Sequence, residues 1–150
     1  MGVRIQREDF DVGAEVRRLT AGRTDIGAIV TFTGIMRSEN DGTSVSGMTL
    51  EHYPGMTEAE LARVEAEAGN RWLLQASLIV HRVGELKPGD NIVLVVTASA
   101  HRQAAFEAAG FLMDYLKTRA PFWKKETDAS GNTVWVEARE ADERAVRRWS

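Results

Sequence analysis

The sequence predicts a mixed α+β fold. Three features carry that reading: β-rich apolar runs at 27–34, 76–86 and 91–99, helical apolar spacing at 57–72 and 100–118, and an order of elements without regular strand–helix alternation. The 150 residues, 43% hydrophobic and 27% charged, suit one globular domain spanning 1–150.

In chain order, VRIQ at 3–6 is expected as a short strand, and DVGAEVRRLTAG at 11–22 as a modest helix ended by Gly22. GAIVTFTG at 27–34 reads as a buried strand. The segment IMRSENDGTSVSG at 35–47 is rich in Ser, Asn, Asp and Gly, so a mobile loop is expected after Arg37, leading to a strand MTLEHY at 48–53 that Pro54 and Gly55 close. Thr57 and Glu60 stand at capping-box spacing before a helix whose Leu61, Val64, Ala68 and Trp72 share one face. Lys87-Pro88-Gly89-Asp90 suits a turn, making 76–86 and 91–99 a hairpin. Ser99 is placed to cap the helix over 100–118, which should stop before Pro121. DASGN at 128–132 reads as a loop, VWVEA at 134–138 as a strand, and EADERAVRRWS at 140–150 as helical in charge spacing but exposed like a tail.

Composition restricts the function. With 19 Lys+Arg against 22 Asp+Glu the formal net charge is −3, which argues against coating nucleic acid by bulk electrostatics, and no repeated aromatic and basic stripe is present. No apolar run approaches a membrane span and the first residues lack a signal-peptide core, so a cytoplasmic protein is expected. Zero cysteines exclude disulfides, thiolate metal sites and a cysteine nucleophile, and three scattered histidines make no strong metal motif, so neither metal nor cofactor is expected.

One stretch stands out. FLMDYLKTRAPFWKKE at 111–126 sets Lys117, Arg119, Lys124 and Lys125 among seven apolar side chains, a composition suited to holding an anion against a low-dielectric wall. Three of these cations, and Arg102 earlier in the chain, also have plainer roles. Lys117 complements a helix C-terminal dipole, the Lys124 and Lys125 stems pack on aromatics, and Arg102 pairs with a nearby Glu; spacing alone favours these. His101 and Arg102 occupy a first helical turn, where free N–H groups attract anions. At about 1.5 Å per residue they lie roughly 22 Å from Lys117, too far for one small pocket within a protomer. Arg37, where a loop leaves a strand, is well placed for ligand contact. His52 and His81 read as packed or surface residues without a role.

Taken together, FTGIMR at 32–37, LEHYPGMTEAEL at 50–61, HRVGELKPGD at 81–90, SAHRQAAFEA at 99–108, MDYLKTRAPFWKKE at 113–126 and WVEARE at 135–140 resemble the family of molybdopterin synthase large, catalytic subunits. The blocks cover most of the chain in order, leaving only the N-terminal segment and 38–46 unremarkable. The resemblance implies an α/β-hammerhead fold with an additional β subdomain. It implies a homodimer inside a heterotetramer, with a small ubiquitin-like thiocarboxylated subunit at each end. The implied reaction is sulfur transfer from that partner to cyclic pyranopterin monophosphate, precursor Z, forming the dithiolene of molybdopterin. Carried over by similarity, Lys117 and Lys124 are catalytic, and Ile35, Met36, Arg37, Lys125 and Glu126 join them in substrate binding. Phe32 and Met113 are pocket walls, while His101, Arg102 and Arg139 come from the neighbouring protomer. A non-catalytic anion-binding or scaffold module of the same fold is the alternative.

Overall fold

The apolar runs at 76–86 and 91–99 put apolar side chains on both faces instead of alternating, so the sheet they form must be covered twice. The computed structural model describes residues 2–40, 42–136 and 140–150, without the side chains of residues 140 and 141. In it β5 (Ala76–Arg82) and β7 (Asn91–Ser99) pair antiparallel, Ile79 opposite Val95 and Val80 opposite Leu94. The parallel strand β1 (Gly2–Gln6) flanks β5 and the antiparallel β2 (Ala28–Ile35) flanks β7, giving the order β1-β5-β7-β2. Helix α1 (Val12–Thr20), capped by the Asp11 carboxylate, covers one face by setting Val12, Val16 and Leu19 against Phe10, Leu78, Val80, Leu94 and Val96. Helices α2 (Met56–Arg71) and α3 (Arg102–Thr118) cover the other, where Leu61, Val64 and Ala68 meet Ile79, Val93, Val95, Phe111 and Leu112.

A second sheet contains β3 (Glu39–Asn40), β4 (Thr43–His52), β8 (Phe122–Asp128) and β9 (Thr133–Val136), in that order, with β6 (Gly84–Leu86) also paired to β4. Met36, Val45, Met48, Leu50 and Leu86 form its core. The α+β class is as predicted: a helix-covered mixed sheet with an additional β subdomain.

Several local expectations fail for identifiable reasons. The run 76–86 breaks after Arg82, because Gly84 takes a φ of 92° and sends β6 to pair with β4 in the other sheet. Strand β2 is an edge rather than a buried strand, and Ile29, Phe32 and Ile35 are exposed. The expected loop after Arg37 is a hairpin instead, with Asn40 opposite Thr43 and Gly42 at φ 81°. Gly55, not a threonine, is the N-cap of α2, and Glu58 rather than Glu60 accepts from its N–H at 2.9 Å. Ser99 donates to the Leu73 carbonyl, and His101 takes the cap position of α3. FWKKE, inside a block left without an element, is part of strand β8. Residues 137 and 138 of the expected strand lie outside the described residues. The C-terminal segment forms α4 (Glu140–Arg147) and is no free tail: Val146 is buried, and Trp149 packs edge-on against Phe111 and Trp72 while its Nε1–H donates to Asp114 at 2.6 Å.

Gly27, just before β2, donates to the Ser99 carbonyl, and a Cβ on it would overlap the Ala100 carbonyl oxygen. Gly27→Ala should therefore cost about 1–3 kcal/mol in urea denaturation. Gly47→Ala, whose Cβ would sit 3.8 Å from the Leu86 carbonyl oxygen, should change stability by less than about 0.5 kcal/mol. Equal losses would show that the close approach at Ala100 is not what requires glycine.

Candidate active site

The two candidate catalytic lysines of the cationic stretch sit on different elements joined by a short turn. Lys117 is in the last turn of α3 and Lys124 is the third residue of β8. The helix ends in backbone bonds from Arg119 and Ala120 to the Tyr115 carbonyl, and Pro121 then prevents it from continuing. The turn is held from outside. The fully buried Thr57 hydroxyl accepts from the Tyr53 N–H and donates to the Pro121 carbonyl, both at 2.9 Å.

The next residue, Phe122, is stacked on the His81 ring, with centroids 3.9 Å apart and planes 19° apart. His81 Nδ1 lies 2.8 Å from the Arg82 carbonyl oxygen; a carbonyl accepts, so this nitrogen carries the proton. Burial, opposed by that bond and reinforced by the positive charge of Lys117 and by His52, pushes the His81 pKa down to about 4. His52 is opposite Phe122 in the β4–β8 pairing, with Nε2 3.8 Å from a Glu58 carboxylate oxygen. Both histidines assigned no role thus border the turn between the lysines. Their sequence signal was slight: a histidine near the end of an apolar strand run looks like any packed histidine.

Strand alternation sorts the remaining residues. Phe122, Lys124 and Glu126 share the face of His52, Leu50 and Met48, while Trp123 and Lys125 point to the opposite one. Lys124 Nζ is 3.5 Å from Glu126 Oε1, and Asn40 Nδ2 donates to that same oxygen at 2.6 Å. Lys125 lies elsewhere, its amine 5.1 Å above the Trp135 ring. Arg37, Ser38, Glu39 and Gly42 line a cavity of about 450 Å³ beside the β3–β4 hairpin. Of the neighbouring predictions, Ile35 is exposed and Met36 is buried in the second sheet's core. Phe32 lies on the exposed edge strand β2, and Met113 packs against the helical core.

His101 and Arg102 are at the far end of α3, which runs unbroken to Thr118. They are not brought to Lys117 within one protomer, and Arg139 lies outside the described residues. Among the described residues no group of three His, Asp or Glu could hold a metal, and no helix is long and apolar enough to cross a membrane. The arrangement suits anion chemistry, with primary amines beside aromatic walls and an arginine-lined cavity on the adjoining hairpin.

Residues 5–119 match the family model described as MoaE protein. A molybdopterin synthase catalytic subunit from Mesorhizobium japonicum is 61% identical over 148 residues, 98% of this chain and 92% of that protein. A solved molybdopterin biosynthesis MoaE protein from Burkholderia ambifaria is 51% identical with a TM-score of 0.84, covering 99% of this chain and 97% of the other. A crystal structure of molybdopterin synthase from Staphylococcus aureus is 29% identical with a TM-score of 0.81, covering 89% of this chain and 95% of the other.

The buried neutral His81 has a consequence for stability. An unfolded imidazole titrates near 6.5, so between pH 6.5 and about 4 the unfolded chain binds more protons than the folded one. Stability is full above that window and should fall as pH drops through it, by about 3 kcal/mol in all. His81→Leu should show a shallower fall over the same window in denaturant titrations. An identical pH slope in both proteins would exclude His81 as the source.

Proposed function

The chain belongs to the MoaE protein family, and on that premise we propose that it transfers sulfur from the C-terminal thiocarboxylate of a small ubiquitin-like partner subunit to precursor Z. The product is the dithiolene of molybdopterin. The observation that carries this reading is the placement of Lys117 and Lys124 on either side of one clamped turn, on a helix end and a strand start. Two anions have to meet, the partner's thiocarboxylate and the substrate's cyclic phosphate. Ammonium groups against aromatic and aliphatic walls attract both strongly, because the surrounding dielectric is low.

The chemistry asks two things of such a site. The thiocarboxylate sulfur attacks a side-chain carbon of the pterin, so the oxygen it displaces must leave with a proton or a stabilised charge; Lys124 serves that departure. The acyl group then joined through sulfur to the substrate must be released by water as the partner's carboxylate, and Lys117 stabilises the oxyanion formed or shuttles its proton. Two partners deliver the two sulfurs. Arg37 holds the phosphate end beside Ile35, with Met36 anchoring that segment in the core of the second sheet, and Glu126 and the Lys125 backbone complete the wall formed by β8. The unbroken α3 bears on assembly. Arg102 and His101, roughly 22 Å from Lys117, act in the pocket of the second protomer of a homodimer, within a heterotetramer that includes two partner subunits. A cytoplasmic site of action suits a reaction between a small metabolite and a thiocarboxylated protein.

Purified chain mixed with thiocarboxylated partner and precursor Z should form molybdopterin. Binding of precursor Z without product, with a partner shown to be competent, would instead favour the anion-binding scaffold. Lys117→Ala should lower turnover about 100-fold or more while thermal unfolding stays near that of the parent. Lys117→Arg should not restore it, and a near-normal rate there would eliminate proton transfer at this position. The shared pocket has its own test. Co-expression of Lys117→Ala with Arg102→Ala should recover up to about a quarter of parental activity, because half the dimers are mixed and each mixed dimer has one intact site. Exchange of subunits without recovery would place Arg102 outside the pocket.

A further inference from the structure

We propose that Asn40 is a positioning residue that holds the Glu126 carboxylate back from Lys124, leaving the Lys124 ammonium open to the anionic substrate. The inference rests on the reading of Lys124 as a reacting group and adds a residue from the hairpin to it.

Asn40 is 86 residues away from Glu126 in sequence, yet its amide donates to Glu126 Oε1 at 2.6 Å. A carboxylate only accepts, so the nitrogen end of the amide must face it. The same Oε1 is the carboxylate oxygen that pairs with Lys124, and there the separation is 3.5 Å. A charge-assisted contact between ammonium and carboxylate closes to about 2.7–2.9 Å when nothing restrains it. Exposure divides the pair in the same sense: the Lys124 side chain is 37% exposed and that of Glu126 is 11% exposed. The amine is therefore reachable, while the carboxylate is drawn inward toward the hairpin. An amide is suited to this task because it engages the oxygen without adding a charge that would compete for the lysine.

The hairpin gives Asn40 a firm base. Its backbone pairs with Thr43, Glu39 pairs with Ser44, and the Val45 N–H donates to the Ser38 carbonyl at 2.8 Å. The same hairpin lines the cavity with Ser38, Glu39 and Gly42 beside Arg37. Through the Asn40–Glu126 bond the cavity that gathers the substrate's anion and the strand that carries the amine are held in one register. Without the bond, the carboxylate can close further onto Lys124, and the substrate must break a tighter ion pair before it binds.

The test separates this role from mere support of the hairpin. Asn40→Ala, and beside it Asn40→Thr, which suits a strand, should raise KM for precursor Z about tenfold with kcat within about twofold of the parent. In a Glu126→Gln background, where no ion pair can form, the same substitutions should leave KM unchanged relative to Glu126→Gln alone. A KM rise of equal size in both backgrounds, or none in either, overturns the proposal. A second readout needs no turnover, so it stands if sulfur transfer itself is never observed: acetic anhydride labelling of Lys124, normalised to exposed Lys87 by peptide mass spectrometry. Labelling should slow severalfold in Asn40→Ala and recover in Asn40→Ala/Glu126→Gln. Unchanged labelling of Lys124 in Asn40→Ala also overturns it.

Discussion

The arrangement of the candidate site depends on one joint, where α3 gives way to β8. The helix belongs to the covered sheet and the strand to the second, so the chain crosses between layers within the few residues from Thr118 to Phe122. Such a crossing exposes backbone groups that neither helix nor ladder satisfies, and a buried group left unpaired costs about 1–3 kcal/mol. The Thr57 hydroxyl resolves this by donating to Pro121 while accepting from Tyr53. The His81 ring does the corresponding work through packing, since it extends from β5 of the first sheet to stack on Phe122 of the second. With both contacts made, the end of α3 and the start of β8 are fixed relative to each other, and so are the backbones that carry Lys117 and Lys124.

How much of this was legible in the sequence follows from where its signals are strong. The paired runs that became β5 and β7, the face of Leu61, Val64 and Ala68, and the stop before Pro121 were all readable, because burial on both sides of a sheet and proline geometry leave periodic marks. Strand β8 was hidden because its inward face carries Phe122, Lys124 and Glu126, an alternation with charged residues at positions where core strands have Val or Ile. The break at Gly84 was invisible for another reason. A glycine at positive φ inside an apolar run marks a departure only when the second sheet that receives β6 is already known. The hairpin over 39–44 has turn residues where a loop would have them, and its two-residue strand β3, Glu39–Asn40, carries no apolar alternation to mark it.

The site residues divide along the same line. Motif resemblance drew attention to Arg37, Lys117, Lys124 and Glu126 as site residues, whereas Thr57 and His81 lie in resembling blocks without a site role and Asn40 lies outside them. Thr57 was read as a cap for its own helix, a local role, while its hydroxyl reaches the far side of the α3–β8 turn. Asn40 lay in a segment that looked unremarkable, and its significance comes from a bond across 86 residues. Local patterns report which residue types are present. Long-range contacts decide which of them hold others in place.

The charge of the site's wall follows from the same packing. A protein of net charge −3 must concentrate its cations to attract an anion, and each carboxylate near those cations weakens the attraction. Behind the turn, contact with Phe122 is made by an imidazole that burial keeps neutral across the ordinary pH range, so this ring adds no charge of either sign beside Lys117. On β8 a carboxylate is present, but its Oε1 is held by the Asn40 amide at 2.6 Å and stands 3.5 Å from Lys124. Two neutral side chains, one a stacked ring and the other a hydrogen-bond donor, thus help to preserve a local positive field in an acidic protein. Replacing either with a carboxylate of similar size would preserve much of the shape and oppose that field.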